Sequence, residues 1–452
     1  MNHRLSFFVC VALLASLLCL GTAAPLVAHE DHPPKVLDED LYRATPMPDR
    51  IILTWTGDPA HTQAVTWRTN PSVGEALAQI ALAEPGPGFA EKAKDVPATT
   101  KPFESNLGPV HYHNVLFEDL EPSTRYVYRV GDGTNWSEWI QFSTASDKPE
   151  AFSFIYFGDA QNNLRAFWSR VIREAHRDAP KAAFMLHAGD LVNQGHSDAE
   201  WGEWFGAGAW LNAMVPSIAT PGNHEYSRDP KRPLESRKVT RHWRPQFAFP
   251  ENGPEGLKET VYWLDFQGTR IISLNSNEHQ EEQAVWLDRV LTDNPNQWTV
   301  VTFHHPVYST ARGRDNPTIR KLWKPLFDKH KVDLVLQGHD HTYGRFVGEL
   351  SENVPSGATA RSPDGGTIYV VSVSGPKMYD LERSPNMIRG AQDTQLYQII
   401  SIDGDTLSYE ARSADGRPYD AFKLKKRPGK TNELINEIPD TPERVGDERA
   451  DD

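Results

Sequence analysis

Between residues 50 and 145 the chain runs in short stretches where apolar and polar residues alternate, at 51–56, 63–68, 78–83, 111–116, 125–130 and 139–143. Gly, Pro, Asn and Asp stand between them. A period of two, interrupted by turn residues at such intervals, predicts short strands of an antiparallel β-sandwich. From residue 152 the pattern changes. Compact apolar runs at 152–157, 183–187, 217–220, 270–274, 299–303 and 334–337 alternate with stretches of helical period such as 164–177 and 280–291. Strands that carry apolar side chains on both faces, with helices between them, predict an α/β layered domain. Runs at 395–402, 406–411 and 422–424 read as its closing strands. Beyond Lys426 the residues are charged, with Pro and Glu and few large apolar side chains, which predicts a disordered tail over 426–452.

The N-terminus has its own pattern. Arg4 precedes an apolar run from Leu5 to Leu20, and the small residues Gly21, Thr22, Ala23 and Ala24 follow. This is the layout of a signal peptide, residues 1–24, and the run is short for a bilayer span. Residues 25–47 are polar and proline-rich and read as a linker, which leaves predicted domains at 48–146 and 150–425. Removal of the leader predicts a secreted or periplasmic protein that makes no membrane attachment of its own. Both cysteines, Cys10 and Cys19, lie inside the leader, so the processed chain has neither disulfides nor thiolate metal ligands.

Charge narrows the partners. Acidic residues number 61 against 47 basic ones, for a net charge of −14. Such a chain has no general attraction for nucleic acid or an anionic membrane. It also repels phosphate esters at long range, so a phosphate site needs a local positive field, which metal ions provide most simply. In the first domain Trp55 and Trp67 are expected to fill the sandwich core. The segment from Leu120 to Tyr126 resembles the tyrosine corner of fibronectin type III domains, with Tyr126 bonding back to the turn.

The chemistry sits in five short motifs at or just past the predicted strand ends. They are Gly158-Asp159, Gly189-Asp190, Gly222-Asn223-His224-Glu225, His304-His305-Pro306 and Gly338-His339-Asp340-His341. In a layered α/β domain, residues beyond strand carboxyl ends converge on one crevice. The donors collected there are carboxylate and amide oxygens and imidazole nitrogens, without sulfur. That set suits two divalent or trivalent ions such as Fe, Zn or Mn. One Gly-Asp is commonly just a turn; five motifs in this order, each after an apolar strand, point to a site.

On these motifs the chain resembles the calcineurin-like metallophosphoesterases, and among them the purple acid phosphatases, which carry a fibronectin-like domain before the phosphatase domain. The resemblance implies that Asp190 bridges two metals. It places Asp159 and His341 on the first ion, and Asn223, His304 and His339 on the second. It makes His224 the acid that protonates the leaving group, and it matches Tyr343 and Arg345 to the aromatic and basic positions after the last motif. The purple enzymes carry a tyrosine three residues after the second aspartate, whose phenolate on ferric iron gives their colour; here that residue is Asn193. Many other members use a histidine two residues after the first aspartate, and here that residue is Gln161. An amide oxygen from either residue, or water, would fill the vacancy, and neither residue need touch metal.

The resemblance implies a reaction. Two cations sharing an oxygen lower its pKa and generate hydroxide for in-line attack on phosphorus, with His224 as the acid. His305, Arg312 and Arg314 follow a ligand motif and are further candidates to contact substrate. The leading expectation is hydrolysis of small phosphate monoesters by a secreted, acid phosphatase-like enzyme. The same metals would equally serve a phosphodiesterase or nucleotide hydrolase. A non-catalytic binding protein is the third class, and the complete donor set together with His224 argues against it.

Overall fold

In a computed structural model, the structure describes residues 36–227, 238–348, 366–427 and 430–446. The predicted leader, 1–24, lies outside the described residues. Two four-stranded antiparallel sheets form the N-terminal domain. One runs Asp49–Thr54, Gln63–Thr69, Gly108–Phe117, Thr99–Ser105, and the other Lys94–Pro97, Leu77–Leu82, Arg125–Gly131, Ile140–Ser143. Strands Lys94–Pro97 and Thr99–Ser105 escape the sequence pattern because most of their side chains are exposed, so no apolar period marks them. Leu53, Val65, Trp67, Val115, Phe117, Tyr128 and Phe142 pack between the sheets. Tyr126 makes the expected corner, its hydroxyl accepting the Glu121 N–H at 2.9 Å.

Trp55 corrects an expectation. It leaves the sandwich and packs into the core of the second domain, against Phe184 and Phe266. It sits just past the end of its strand, where the period-two rule no longer says which way a side chain faces.

The second domain is a four-layer α/β sandwich. Its first sheet has the order Ser217–Ala219, Met185–His187, Phe152–Phe157, Leu396–Asp403, Thr406–Ser413, Pro418–Lys425, Glu433–Asn436. Its second has the order Tyr262–Phe266, Thr269–Ser273, Trp298–Thr302, Leu334–Gln337, Ile368–Val371, Tyr343–Val347, Met387–Ala391. Phe154, Leu186, Ile218 and Ile400 of the first meet Ile271, Val300, Leu336 and Val370 of the second in one core. Helices Ser169–Asp178 and Asp198–Gly208 cover the first sheet with Val171, Ile172, Trp201 and Trp204. Helices Gln280–Thr292 and Pro317–His330 cover the second with Trp286, Leu287, Trp323 and Phe327. Among the described residues, no helix is long and apolar enough to cross a membrane.

One boundary expectation fails. The predicted disordered tail is ordered where described: Glu433–Asn436 pairs antiparallel with Pro418–Lys425, and Glu443 accepts the Gly390 N–H at 2.9 Å. An edge strand is held by its backbone, and its side chains here are exposed or half-buried, so composition gives no sign of it. The described part of the linker is packed as well. It forms a short helix, Asp38–Leu41, and the Tyr42 carbonyl accepts from Arg68 at 3.0 Å.

Candidate metal centre

The motifs do converge. Asp159, Asp190 and Asn223 follow the parallel strands Phe152–Phe157, Met185–His187 and Ser217–Ala219 of one sheet. His304, His339 and His341 follow Trp298–Thr302 and Leu334–Gln337 of the other. The carboxyl ends of both sheets therefore open on one crevice, as the layered pattern requires. The turns that deliver the side chains are unusual. Asp190, His339 and His341 have φ of 49°, 76° and 51°, a left-handed conformation that non-glycine residues hold only where their surroundings enforce it. Gly222 passes so close to Asp190 that a Cβ would lie 2.2 Å from the carboxylate, which is why a glycine precedes Asn223.

Two groups of donors form, Asp159–Asp190–His341 and Asp190–His304–His339, each with its ligand atoms within 4.8 Å of one another. Asp190 belongs to both. His304 Nε2 lies 3.1 Å from Asp190 Oδ2, 3.1 Å from Asn223 Oδ1 and 3.2 Å from His339 Nδ1. His341 Nε2 lies 3.1 Å from Asp159 Oδ2. The orientation of these rings is fixed from outside. His304 Nδ1 donates to the Ala188 carbonyl at 2.9 Å, and His341 Nδ1 to the Lys377 carbonyl at 2.9 Å. Each ring then turns Nε2 inward, the atom through which a neutral histidine held this way would bind a metal. Buried Asp159 Oδ2 has no hydrogen-bond partner. Carboxylate, amide and imidazole atoms gathered this closely are the donors that cations between them would use. The residues thus fit two metal ions sharing one carboxylate.

The surrounding shell is built to hold that geometry. The Glu225 carboxylate accepts the backbone N–H groups of Asp190 at 2.9 Å, Leu191 at 2.9 Å and Gly222 at 2.8 Å, which ties the second and third motifs together. Asp340, between two histidines, accepts the Thr310 N–H at 2.6 Å and holds the loop after His304. His224 donates its backbone N–H to Asp190 Oδ1 at 2.8 Å. Its ring bonds through Nδ1 to the Asn193 carbonyl, which leaves Nε2 toward the crevice, 3.9 Å from Asp190 Oδ2. Asn193 is half-buried and its N–H binds Glu200 at 2.7 Å.

The other sequence candidates divide. His305 packs its ring 4.2 Å from that of His339 and bonds Ser276 at 2.7 Å. Arg314 donates to the His339 carbonyl at 3.0 Å and lies 4.6 Å over the ring of Tyr379, which in turn stacks 4.7 Å from His341. Arg312 is exposed and engages Asp380 through its backbone. Tyr343 and Arg345 do not reach the crevice; both are buried and bonded to Asp420. Tyr379 and Lys377 were not picked out from the sequence, since they lie far along the chain in a segment without a motif. The role of Glu225 was equally invisible, although it stands inside one.

Comparison with known proteins bears on the two domains. Residues 48–144 match the family described as purple acid phosphatase, N-terminal domain, and residues 152–343 match the calcineurin-like phosphoesterases. Fe(3+)-Zn(2+) purple acid phosphatase 12 of Arabidopsis thaliana is 24% identical over 360 residues, which cover 74% of this chain and 74% of that one. Acid phosphatase type 7 of Mus musculus is 27% identical over 333 residues, 66% of this chain and 70% of its own length. Purple acid phosphatase PPD1 from yellow lupin (Lupinus luteus) shares the fold, with a TM-score of 0.71 at 19% identity over 85% of this chain and 75% of that one. With an N-terminal purple acid phosphatase domain joined to a calcineurin-like phosphoesterase domain, the chain belongs to the purple acid phosphatase-like metallophosphoesterases.

Proposed function

We propose that this chain is an exported acid phosphatase that hydrolyses small phosphate monoesters with two metal ions. Asp159 and His341 would hold the first ion and Asn223, His304 and His339 the second, with Asp190 shared between the two. The observation that carries the reading is the pair of donor groups sharing Asp190, with His224 Nε2 3.9 Å from that shared carboxylate. The Arabidopsis and mouse relatives, named as an iron–zinc purple acid phosphatase and an acid phosphatase, support the substrate class.

Two ions at these positions supply positive charge for the phosphoryl oxygens and lower the pKa of water. The chain's own groups do the rest. Asp159, Asp190 and the inward-facing imidazoles keep the charges close together, and the Glu225 clamp fixes the loops that carry Asp190 and Asn223. His224 is oriented by the Asn193 carbonyl through Nδ1, so its Nε2 points into the crevice, where the imidazolium form would carry a proton. As the P–O bond to the leaving group breaks, that proton passes to the departing oxygen. Arg314 stands beside His339 as a cation for the substrate's remaining charge.

The test is hydrolysis by metal-loaded protein of aryl and alkyl phosphate monoesters against matched diesters, across pH. Monoester turnover well above diester turnover is expected, and faster diester cleavage would overturn the substrate assignment. For export, mass spectrometry of the extracellular or periplasmic protein should find a chain that starts after about residue 24. An intact Met1 terminus recovered from membranes would overturn it.

A further inference from the structure

We infer that the side-chain oxygen of Gln161 is a ligand of the first metal ion, completing a shell that a phenolate or an imidazole completes elsewhere in the resembling families. The inference rests on the two-ion assignment above. Gln161 is fully buried, and one end of its carboxamide lies 2.9 Å from His341 Nε2 and 3.1 Å from Asp190 Oδ2. Those two residues, with Asp159, form the first ion's donor group. The amide end therefore lies against two members of this donor group.

The chemistry decides which amide atom faces inward. Without a cation, the NH2 end is drawn to the lone pairs of His341 and Asp190, and Oε1 is left buried with no hydrogen-bond partner. With a cation between them, an N–H aimed at positive charge is repelled and the carbonyl oxygen is attracted. Rotation about the last side-chain bond exchanges the two ends in nearly the same space. Asn193, the rival position, is held through its backbone. Its carbonyl orients His224, its N–H binds Glu200, and its side chain is half-buried.

An amide in place of a phenolate changes the charge of the site. Asp159 and Asp190 bring two carboxylates, and Gln161 and His341 add none, so the first site has one negative charge fewer than a tyrosine-bearing site has. Trivalent iron is favoured by anionic oxygen donors, so this shell shifts preference toward divalent ions.

Three variants test the ligand: Gln161→Ala, Gln161→Glu and Gln161→His. Each is loaded with Co(II), dialysed, and read for metal per chain, for the chelator concentration that strips half the metal, and for the visible Co(II) spectrum. Far-UV circular dichroism confirms folding. Gln161→Ala should fall from two ions per chain toward one, and the first ion's affinity should drop by about ten- to a hundredfold. Gln161→Glu and Gln161→His, which provide an oxygen or a nitrogen, should keep two ions and shift the spectrum. Gln161→Ala holding two ions with an unmoved stripping midpoint would overturn the inference. So would Gln161→Glu behaving like Gln161→Ala, because glutamate keeps the oxygen and loses only the N–H. A wild-type chain that bound no Co(II) would instead sink the two-ion assignment beneath it.

Discussion

Arg345 grips Asp420 through two bonds of 2.7 and 2.9 Å, and both side chains are entirely buried. Tyr343 adds a bond of 2.7 Å to the same carboxylate, and Arg345 reaches Asn436 of the last strand at 2.7 Å. The pair joins the two sheets of the phosphoesterase domain behind the crevice. Asp420→Ala would leave a buried guanidinium uncompensated and should cost about 3–5 kcal/mol in urea unfolding. Metal content should survive. A loss within experimental error would mean that water reaches the pair.

A second buried ion cluster joins the two domains. Arg50 and Arg68 of the sandwich bind Asp198, at the start of helix Asp198–Gly208, with Nη1 bonds of 2.8 and 2.9 Å. Burial alone pushes the Asp198 carboxyl up, but Arg50, His242 and Arg68 together hold it well below the usual carboxylate range. The sign follows directly. A carboxylate depressed in the folded state contributes stability above its unfolded value of about 3.9, and that contribution disappears as pH falls toward the folded value. Asp198→Asn should lower stability near neutral pH by about 3 kcal/mol. It should also flatten the loss of stability below about pH 4, where only the wild type gives up this term. Denaturant titrations at several pH values check both, and parallel slopes for the two proteins would refute the role.

Asp190→Asn should abolish turnover and lower total metal content, because this carboxylate belongs to both donor groups. Elemental analysis after dialysis reads the metals directly. Two ions per chain with normal activity would remove the central assignment.

His224→Ala should keep both metals and lose about a hundredfold or more in kcat. The loss should shrink for aryl phosphates with good leaving groups, since these need little protonation. Equal losses for aryl and alkyl phosphates would show that His224 does not act as the acid.

The iron-loaded protein should show no intense phenolate band. Tyr156 gives its hydroxyl to Gln337, Tyr226 bonds Glu278, Tyr343 bonds Asp420, and Tyr308 packs its ring against Phe346 and edge-on against Tyr369. Tyr379 meets His341 ring to ring rather than through its oxygen. Visible absorption of the iron form decides it, and a strong purple colour would mean that one of these tyrosines has moved onto the metal.

What the sequence determined by itself was local in origin. Alternation over 51–143 gave the sandwich, and apolar strands between helices gave the layered domain, because each pattern states which faces must leave water. The Gly-Asp and His motifs at strand ends gave the site, because strand direction alone sends their side chains to one edge. Whatever depended on distant partners had to await the tertiary structure. Trp55 looked like a sandwich residue until Phe184 and Phe266 were seen around it. Arg345 matched a basic position near the site until its carboxylate partner, 75 residues away in the chain, was found behind the crevice. The strand Glu433–Asn436 is held by backbone bonds, which leave no mark on composition. Gln161 and Asn193 were equal candidates as letters. Only the burial of one amide between Asp190 and His341, and the half-exposure of the other, separated them. Periodicity reports a residue's own environment, whereas a ligand shell is a meeting of residues that the chain keeps far apart.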